Sequence, residues 1–407
     1  MHVTFLEAGH AASAAGWRAA TAACGIKYAD RDDLALLVSD RPAAAAAVFT
    51  TNRVKAAPVL YDMALLGRNA GGVQAVVINA GNANACTGSD GDAAALAMAR
   101  ATEAALGLPA DSAFVMSTGT IGVPMPVAKI LAGIRVAAGR LAAANGPAAA
   151  RAIMTTDTRP KHVAAQVSLP GGATIVIGGM AKGAGMIHPN MATLLSVVTS
   201  DAALPPALLD AALREAVAGS FNSISIDGDT STNDTLLVLA NGAASAPPIS
   251  DPADPAYAAF VAGLTAVCRQ LAHAVVRDGE GATRFVTITV RGAMSDAEAK
   301  LAAMAVARSP LVKTALYGAD PNWGRVLCAI GYSGAEVDPA RVVLHFGGMR
   351  VLEGGLPLPF DERAASDLLN VPEVTIEADL GLGTGEATVW TCDLSPAYVA
   401  INAEYRT

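Results

Sequence analysis

Lys182-Gly183-Ala184-Gly185-Met186-Ile187-His188-Pro189-Asn190-Met191-Ala192-Thr193-Leu194-Leu195 is a glycine-rich loop that ends on Ala-Thr just before an apolar run. The run, residues 194–198, has the length and β-branched content of a buried strand. A threonine hydroxyl is a poor nucleophile at neutral pH unless a base sits beside it, and its own α-amine is one such base. Thr193 carries that amine only if the bond between Ala192 and Thr193 is cut. Ala192 leaves its carbonyl open, and Pro189, downstream of Gly183-Ala184-Gly185, suits a sharp, strained turn. Attack of the Thr193 hydroxyl on the Ala192 carbonyl gives an ester, and water then releases an N-terminal threonine. The same wording also suits a plain loop entering a sheet. A phosphate cradle is disfavoured, because residues 179–193 lack the G-x-x-x-x-G-K-[ST] spacing.

Working outward, the 407 residues suffice for two or three domains, or for one large α/β body with an appended lobe. Apolar residues make up 53% and charged ones 16%, and much of the apolar share is alanine, as in 43–47. No uninterrupted apolar run is long enough to span a bilayer. The net charge of −8, without a basic cluster, argues against a nucleic-acid partner. The start of the chain, with Glu7 and His10, does not resemble a secretory signal, which points to the cytoplasm. Cys24, Cys86, Cys268, Cys328 and Cys392 are odd in number and far apart, so they read as reduced core residues. The histidines show no ligand spacing, and no metal and no cofactor are expected.

Strands are expected over 3–6, 34–38, 47–50 and 73–79, then a helix over 92–106 capped by Ser89 or Asp90. A strand over 114–116 runs into Ser117-Thr118-Gly119-Thr120, a small-residue turn whose backbone can approach a ligand closely. Residues 163–169 and 173–177 read as a hairpin delivering the chain to Lys182. Asp227-Gly228-Asp229-Thr230-Ser231-Thr232-Asn233-Asp234 has the start of a calcium loop, but Thr232 stands where the loop needs glycine and Val238 where it needs glutamate. It is a turn dense in hydrogen-bonding side chains. A long helix over 256–277 ends at Asp278-Gly279-Glu280-Gly281-Ala282-Thr283. Strand 285–290, two helices over 296–317, and strands over 326–330, 342–346, 374–379 and 386–391 follow. The alternation is α/β (α+β), with residues from about 326 to 407 expected as a smaller α+β lobe.

The opening stretch resembles the self-processing site of the ornithine acetyltransferases, also called glutamate N-acetyltransferases. The likeness extends to Val77-Ile78-Asn79-Ala80-Gly81-Asn82-Ala83-Asn84-Ala85, Ser117-Thr118-Gly119-Thr120-Ile121-Gly122, Met154-Thr155-Thr156-Asp157-Thr158, and Asp278 to Thr283. Gly318-Ala319-Asp320-Pro321-Asn322-Trp323-Gly324-Arg325 and the ending Asn402-Ala403-Glu404-Tyr405-Arg406-Thr407 complete it, in order and over most of the chain.

The resemblance implies an N-terminal-nucleophile-like, layered α-β-β-α body. It also implies a self-cleaved protein with an α chain of residues 1–192 and a β chain of 193–407, of which 193–325 complete the main body. Thr193 is then the nucleophile, and Thr118 and Gly119 form the oxyanion hole. Thr156, Lys182, Thr193, Glu280, Asn402 and Thr407 bind substrate, with Thr155 and Thr158 as alternatives to Thr156. The implied reaction takes acetyl from N2-acetylornithine to glutamate through acetyl-Thr193, in cyclic arginine biosynthesis. Lys182 is suited to pair with the α-carboxylate both amino acids share. Acetyl-CoA as a second donor and an α2β2 assembly are further expectations. Two other readings stand beside this one: an N-terminal-nucleophile amidohydrolase or aminopeptidase that uses water as acceptor, and an uncut amino-acid-binding module.

Overall fold

The computed structural model describes residues 2–188 and 194–404, so Ala192, Thr193 and Thr407 lie outside the described residues. In chain order the elements begin β1 (His2–Phe5), β2 (Trp17–Ala22), β3 (Leu34–Phe49), α1 (Ala57–Asn69), β4 (Val73–Asn82), α2 (Gly88–Leu106), β5 (Ala113–Thr120) and α3 (Val127–Ala138). They continue with α4 (Gly146–Ala152), β6 (Lys161–Ser168), β7 (Thr174–Lys182), β8 (Leu195–Ser200), α5 (Pro206–Ala218), β9 (Ile224–Ser225), β10 (Thr235–Ala240) and α6 (Pro255–Arg277). The last are β11 (Phe285–Ala293), α7 (Asp296–Arg308), α8 (Pro310–Tyr317), α9 (Trp323–Gly331), β12 (Val343–Phe346), β13 (Met349–Glu353), β14 (Leu356–Pro357), α10 (Glu362–Leu369), β15 (Glu373–Asp379), β16 (Gly385–Cys392) and α11 (Pro396–Glu404).

These elements form two compact units, the first running to Asn222 and resuming over 229–275, the second made of 223–228 and the chain from Val276 on. In the first unit the strand order is β1-β6-β7-β8-β10-β3-β4-β5, with β2 also paired to β3. Strand β3 merges the two expected strands 34–38 and 47–50. Its first half pairs with β2 and β4, and its alanine-rich second half, Ala44 to Phe49, pairs with β10. The partners change across exposed Asp40, Arg41 and Pro42, so one strand serves two sheet layers.

The layers pack face to face through Leu37, Val76, Ile78, Phe114 and Met116 on one side and Met180, Leu195, Val197, Leu237 and Leu239 on the other. Alanines at 35, 45 and 47 lie in the same core, where small side chains permit a close approach of the sheets. Outside the first layer, Met98 and Ala99 of α2 and Ile130 and Ile134 of α3 cover Leu34, Leu36, Val77 and Val115. Helix α2 starts at Gly88 after Thr87, which makes no side-chain cap, rather than at Ser89 or Asp90, and it stops as expected at left-handed Gly107.

Helix α6 covers the other layer: a Cβ on Gly179 of β7 would lie 2.8 Å from Leu271, and one on Gly263 of α6 would lie 2.4 Å from Val167 of β6. Those two glycines are gaps that let helix and sheet touch. By length and composition α6 alone among the described helices is long and apolar enough to cross a membrane, but 61% of its most apolar window is buried, which makes it a core helix. The first unit is thus layered α-β-β-α.

The second unit is a seven-stranded sheet, β14-β13-β12-β15-β11-β16-β9, with Ala302, Val306, Val312 and Ala329 of α7, α8 and α9 in its core. Strand β11 sits inside this sheet, parallel to β15 and antiparallel to β16, so the smaller unit begins near Val276 and not near residue 326. The strand expected over 326–330 is helical. Asn322 accepts the Arg325 amide and caps α9, which then buries Val326, Ala329 and Ile330 on one face.

Phe260 of α6 is fully buried. Phe260→Ala is expected to lower unfolding stability by about 3–5 kcal/mol; a loss under about 1 kcal/mol in denaturant titrations contradicts the placement of α6 as a covering layer.

Candidate active site

Strand β7 ends at Lys182, and β8 begins at Leu195 directly opposite it in an antiparallel pair. The loop that holds the 192/193 bond is therefore closed at its base by sheet hydrogen bonds. Within its described part, Met186 adopts φ +58°, a left-handed conformation costing roughly 1–2 kcal/mol in a residue with a Cβ. The strained turn expected at Pro189 lies outside the described residues.

The far side of the same layers carries β5, whose last residues include Thr118 and Gly119. Lys182 is 5% exposed and Thr118 8%, and the Lys182 Nζ donates to Thr118 Oγ1 at 3.1 Å. An ammonium has no lone pair, so the threonine hydroxyl must be the acceptor in this bond. Its own proton is then directed elsewhere, as an oxyanion donor requires. Gly119 has φ +130°, and a Cβ there would lie 2.3 Å from the carbonyl carbon of Gly81. Only glycine fits this close crossing of β4 and β5.

The turn is braced by asparagines from 79–84. Ser117 Oγ donates to Asn79 Oδ1 at 2.6 Å, Asn79 Nδ2 donates to the Asn82 carbonyl at 2.9 Å, and the Asn84 amide donates to Asn82 Oδ1 at 2.8 Å. Asn233 Nδ2 donates to the carbonyls of Ala83 at 2.6 Å and Ser117 at 2.8 Å. On the other side, Asp234 Oδ1 accepts the Leu194 amide at 2.7 Å.

Asp157 links two further expected site residues. Its Oδ1 accepts from Lys161 Nζ at 2.6 Å and from the Gly183 amide at 2.7 Å, while Oδ2 accepts the Thr155 amide at 3.0 Å. Burial pushes this carboxyl up, but the Lys182 and Lys161 ammonium groups and its hydrogen bonds overcome that and hold it at about 2. Asp157 is a carboxylate, favoured in its ionised form by these partners, that ties the Thr155–Thr156 turn to the start of the Lys182–Gly183 loop. Thr155 and Thr156 are half-buried beside it, whereas Thr158 is exposed.

Glu280 and Asn402 belong to the second unit and meet there, Asn402 Nδ2 donating to Glu280 Oε2 at 2.8 Å and to the Tyr398 carbonyl at 3.0 Å. Gly281 adopts φ +68°, and a Cβ on it would lie 2.6 Å from the Tyr398 amide, so glycine is what lets α11 approach the Glu280 loop. Asp393 holds that loop by accepting the Thr283 and Arg284 amides at 2.8 and 2.9 Å.

Asp157, Asn233, Asp234 and Asp393 did not stand out as site residues in the sequence. Asn233, Asp234 and Asp393 reach backbone groups far along the chain, and Asp157 adds the distant Gly183 amide to its near neighbours Thr155 and Lys161, which no local pattern reveals. All five cysteines are free; Cys86 and Cys328 are exposed, contrary to a core role. Burial raises the Cys268 thiol to about 12, which leaves no thiolate to act as a nucleophile. Among the described residues no group of three or more His, Cys, Asp or Glu side chains could hold a metal ion.

A model of the ArgJ family matches residues 18–407. The arginine biosynthesis bifunctional protein ArgJ of Symbiobacterium thermophilum is 53% identical over 403 residues, 98% of this chain and 99% of its own. That of Geobacter sulfurreducens is 50% identical over 393 residues, 96% of this chain and 99% of its own. The solved structure of the arginine biosynthesis bifunctional protein from Bacillus halodurans is 42% identical, covering 51% of this chain and 98% of its own at a TM-score of 0.50. On the family match and these relatives, this chain belongs to the ArgJ family.

Proposed function

We infer that this chain is the acetyltransferase of cyclic arginine biosynthesis, moving acetyl from N2-acetylornithine to glutamate. The observation that carries the reading is the Lys182 Nζ to Thr118 Oγ1 hydrogen bond, which joins the cation suited to an amino-acid carboxylate to the hydroxyl suited to an oxyanion. Both sit at the base of the loop holding Ala192 and Thr193. The family's solved chain that covers half of this sequence but nearly all of itself has the size of one product of a cut in that loop.

In this mechanism the precursor cuts itself between Ala192 and Thr193, giving an α chain of 1–192 and a β chain of 193–407. The new α-amine, with a pKa near working pH as is usual for α-amines, takes the proton of the Thr193 hydroxyl. The hydroxyl attacks the acetyl carbonyl of N2-acetylornithine. Thr118 Oγ and the Gly119 amide hold the tetrahedral oxyanion, and its collapse releases ornithine with the proton returned to the leaving amine. Glutamate then attacks acetyl-Thr193 and departs as N-acetylglutamate, in ping-pong order.

Lys182 and Thr156 bind the end of the substrate that both amino acids share. Glu280, Asn402 and Thr407 meet the end that differs, an ammonium in ornithine and a carboxylate in glutamate. A carboxylate beside an amide can serve both charges. Acetyl-CoA is a second donor for the same acetyl-threonine, no cofactor is required, and the two chains assemble as a cytoplasmic α2β2 tetramer.

Thr193→Ala is expected to remain full length and inactive; a cut and active variant overturns the reading. Wild-type protein given N2-acetylornithine without glutamate should show, by mass spectrometry, one acetyl group on the fragment that starts at Thr193. Acetyl elsewhere, or release of free acetate in place of N-acetylglutamate once glutamate is added, would favour the water-using hydrolase instead.

Thr118→Val should lower kcat by about 10²- to 10³-fold with KM little changed, as loss of an oxyanion donor does elsewhere. Glu280→Gln should raise KM for N2-acetylornithine more than for glutamate, and equal changes contradict its place at the ammonium end.

A further inference from the structure

The polar stretch from Asp227 to Asp234 lacks the calcium-loop pattern and has no place in the mechanism above, yet its last two residues are almost fully buried, Asn233 at 7% and Asp234 at 1% exposure. Their side chains go to two different strands. Asn233 Nδ2 donates to the Ser117 carbonyl, one residue before Thr118, and to the Ala83 carbonyl in the asparagine loop. Asp234 Oδ1 accepts the amide of Leu194, one residue after Thr193.

The dipeptide is itself locked. The Asn233 amide donates to Ser231 Oγ at 3.1 Å, and the Thr232 hydroxyl donates to Asn233 Oδ1 at 2.6 Å. The Asp234 carbonyl accepts the Thr50 amide at 3.0 Å, and the Thr235 amide donates to the Leu194 carbonyl at 3.0 Å. Leu194 is thus held through both its amide and its carbonyl by residues 234 and 235.

We propose that Asn233 and Asp234 are positioning residues that fix the oxyanion turn and the strand following residue 193 in one register. The inference rests on the reading of Thr118 and Gly119 as oxyanion donors and Thr193 as nucleophile. The donors must stand where the tetrahedral oxygen forms, and a displacement of about 1 Å costs on the order of 100-fold in rate. Strands β8 and β5 are not neighbours in the sheet, being separated by β10, β3 and β4, so ladder hydrogen bonds alone connect them only through three intervening strands. The side chains of 233 and 234 make the short connection. Burial gives their bonds little competition from water. Before the cut the α-amine does not yet exist as a base, so positioning of the scissile bond matters most in the precursor.

The test compares Asn233→Ala, Asp234→Ala and Asp234→Asn in the full chain, following the cut by intact mass over time, kcat and KM for both substrates, and thermal melting. Both alanine variants are expected to cut slowly and to lose about 10- to 100-fold in kcat with KM for either substrate within roughly twofold. Asp234→Asn, which keeps an oxygen for the Leu194 amide, should recover most of that loss. A purely structural role would lower melting temperature while leaving kcat of the folded protein intact, and that result overturns the proposal. So does a loss confined to KM, or an Asp234→Asn variant as slow as the alanine.

If an alanine variant does not fold, Asn233→Gln, which misplaces the same donors, is compared with Asp234→Asn, and equal activities in the two overturn the proposal. Thr193→Ala run alongside separates the two claims. A cut and active Thr193→Ala removes the nucleophile reading, while fully active position-233 and position-234 variants with an uncut Thr193→Ala remove only the present inference.

Discussion

The pairing of Lys182 with Leu195 is the constraint from which the rest of the site follows. It closes the glycine-rich loop at its base, so that a chain leaving the sheet at β7 must return beside it at β8. Strands β8, β10 and β3 then run in register, Leu195 beside Thr235 and Thr235 beside Phe49, and β3 bends to carry the order into the second layer with β4 and β5. Lys182 reaches across the sandwich to Thr118, so the two layers meet chemically at the point where the loop begins. A shift of one residue in the β7–β8 pairing would turn Lys182 to the opposite face and remove that contact.

Burying a lysine there requires compensation. Asp157 supplies it as a carboxylate held ionised at about 2, shared with a second buried ammonium, Lys161. Removing one member of such a buried set is more disruptive than its net contribution to stability suggests, because the remaining charges lose their partners. The arrangement favours a fixed geometry over a large gain in stability. A fixed geometry is also what an oxyanion hole needs, since its donors must not reorganise as charge develops.

The family was legible because its motifs sit in short runs rich in glycine, threonine and asparagine, where local wording carries the chemistry. The layered body was legible through that resemblance, whereas β11 and α7 of the second unit were legible from clear apolar periods over 285–290 and 296–308. Other features depended on distant partners. The alanines at 43–47 look featureless, but they are the strand that joins two sheets, and their small size is what the interior there accommodates. Residues 326–330 have β-branched and apolar content suited to a strand, but the Asn322 cap and a one-sided apolar face make them a helix. The limits of the smaller unit could not be read because β11 finds both its partners, β15 and β16, far later in the chain, as in the pairing of Phe285 with Glu373 and with Cys392. Asn233 and Asp234 look like turn residues in the sequence, and their role is visible only when Ser117 and Leu194 are brought to them.

The most direct test of the central claim is the intact mass of the denatured wild-type protein, with N-terminal sequencing of each species. The account predicts two masses that sum to the full chain plus one water, one fragment beginning Thr193-Leu194-Leu195. A single unbroken mass from folded, active protein would contradict it, because Thr193 would then have no α-amine to serve as its base.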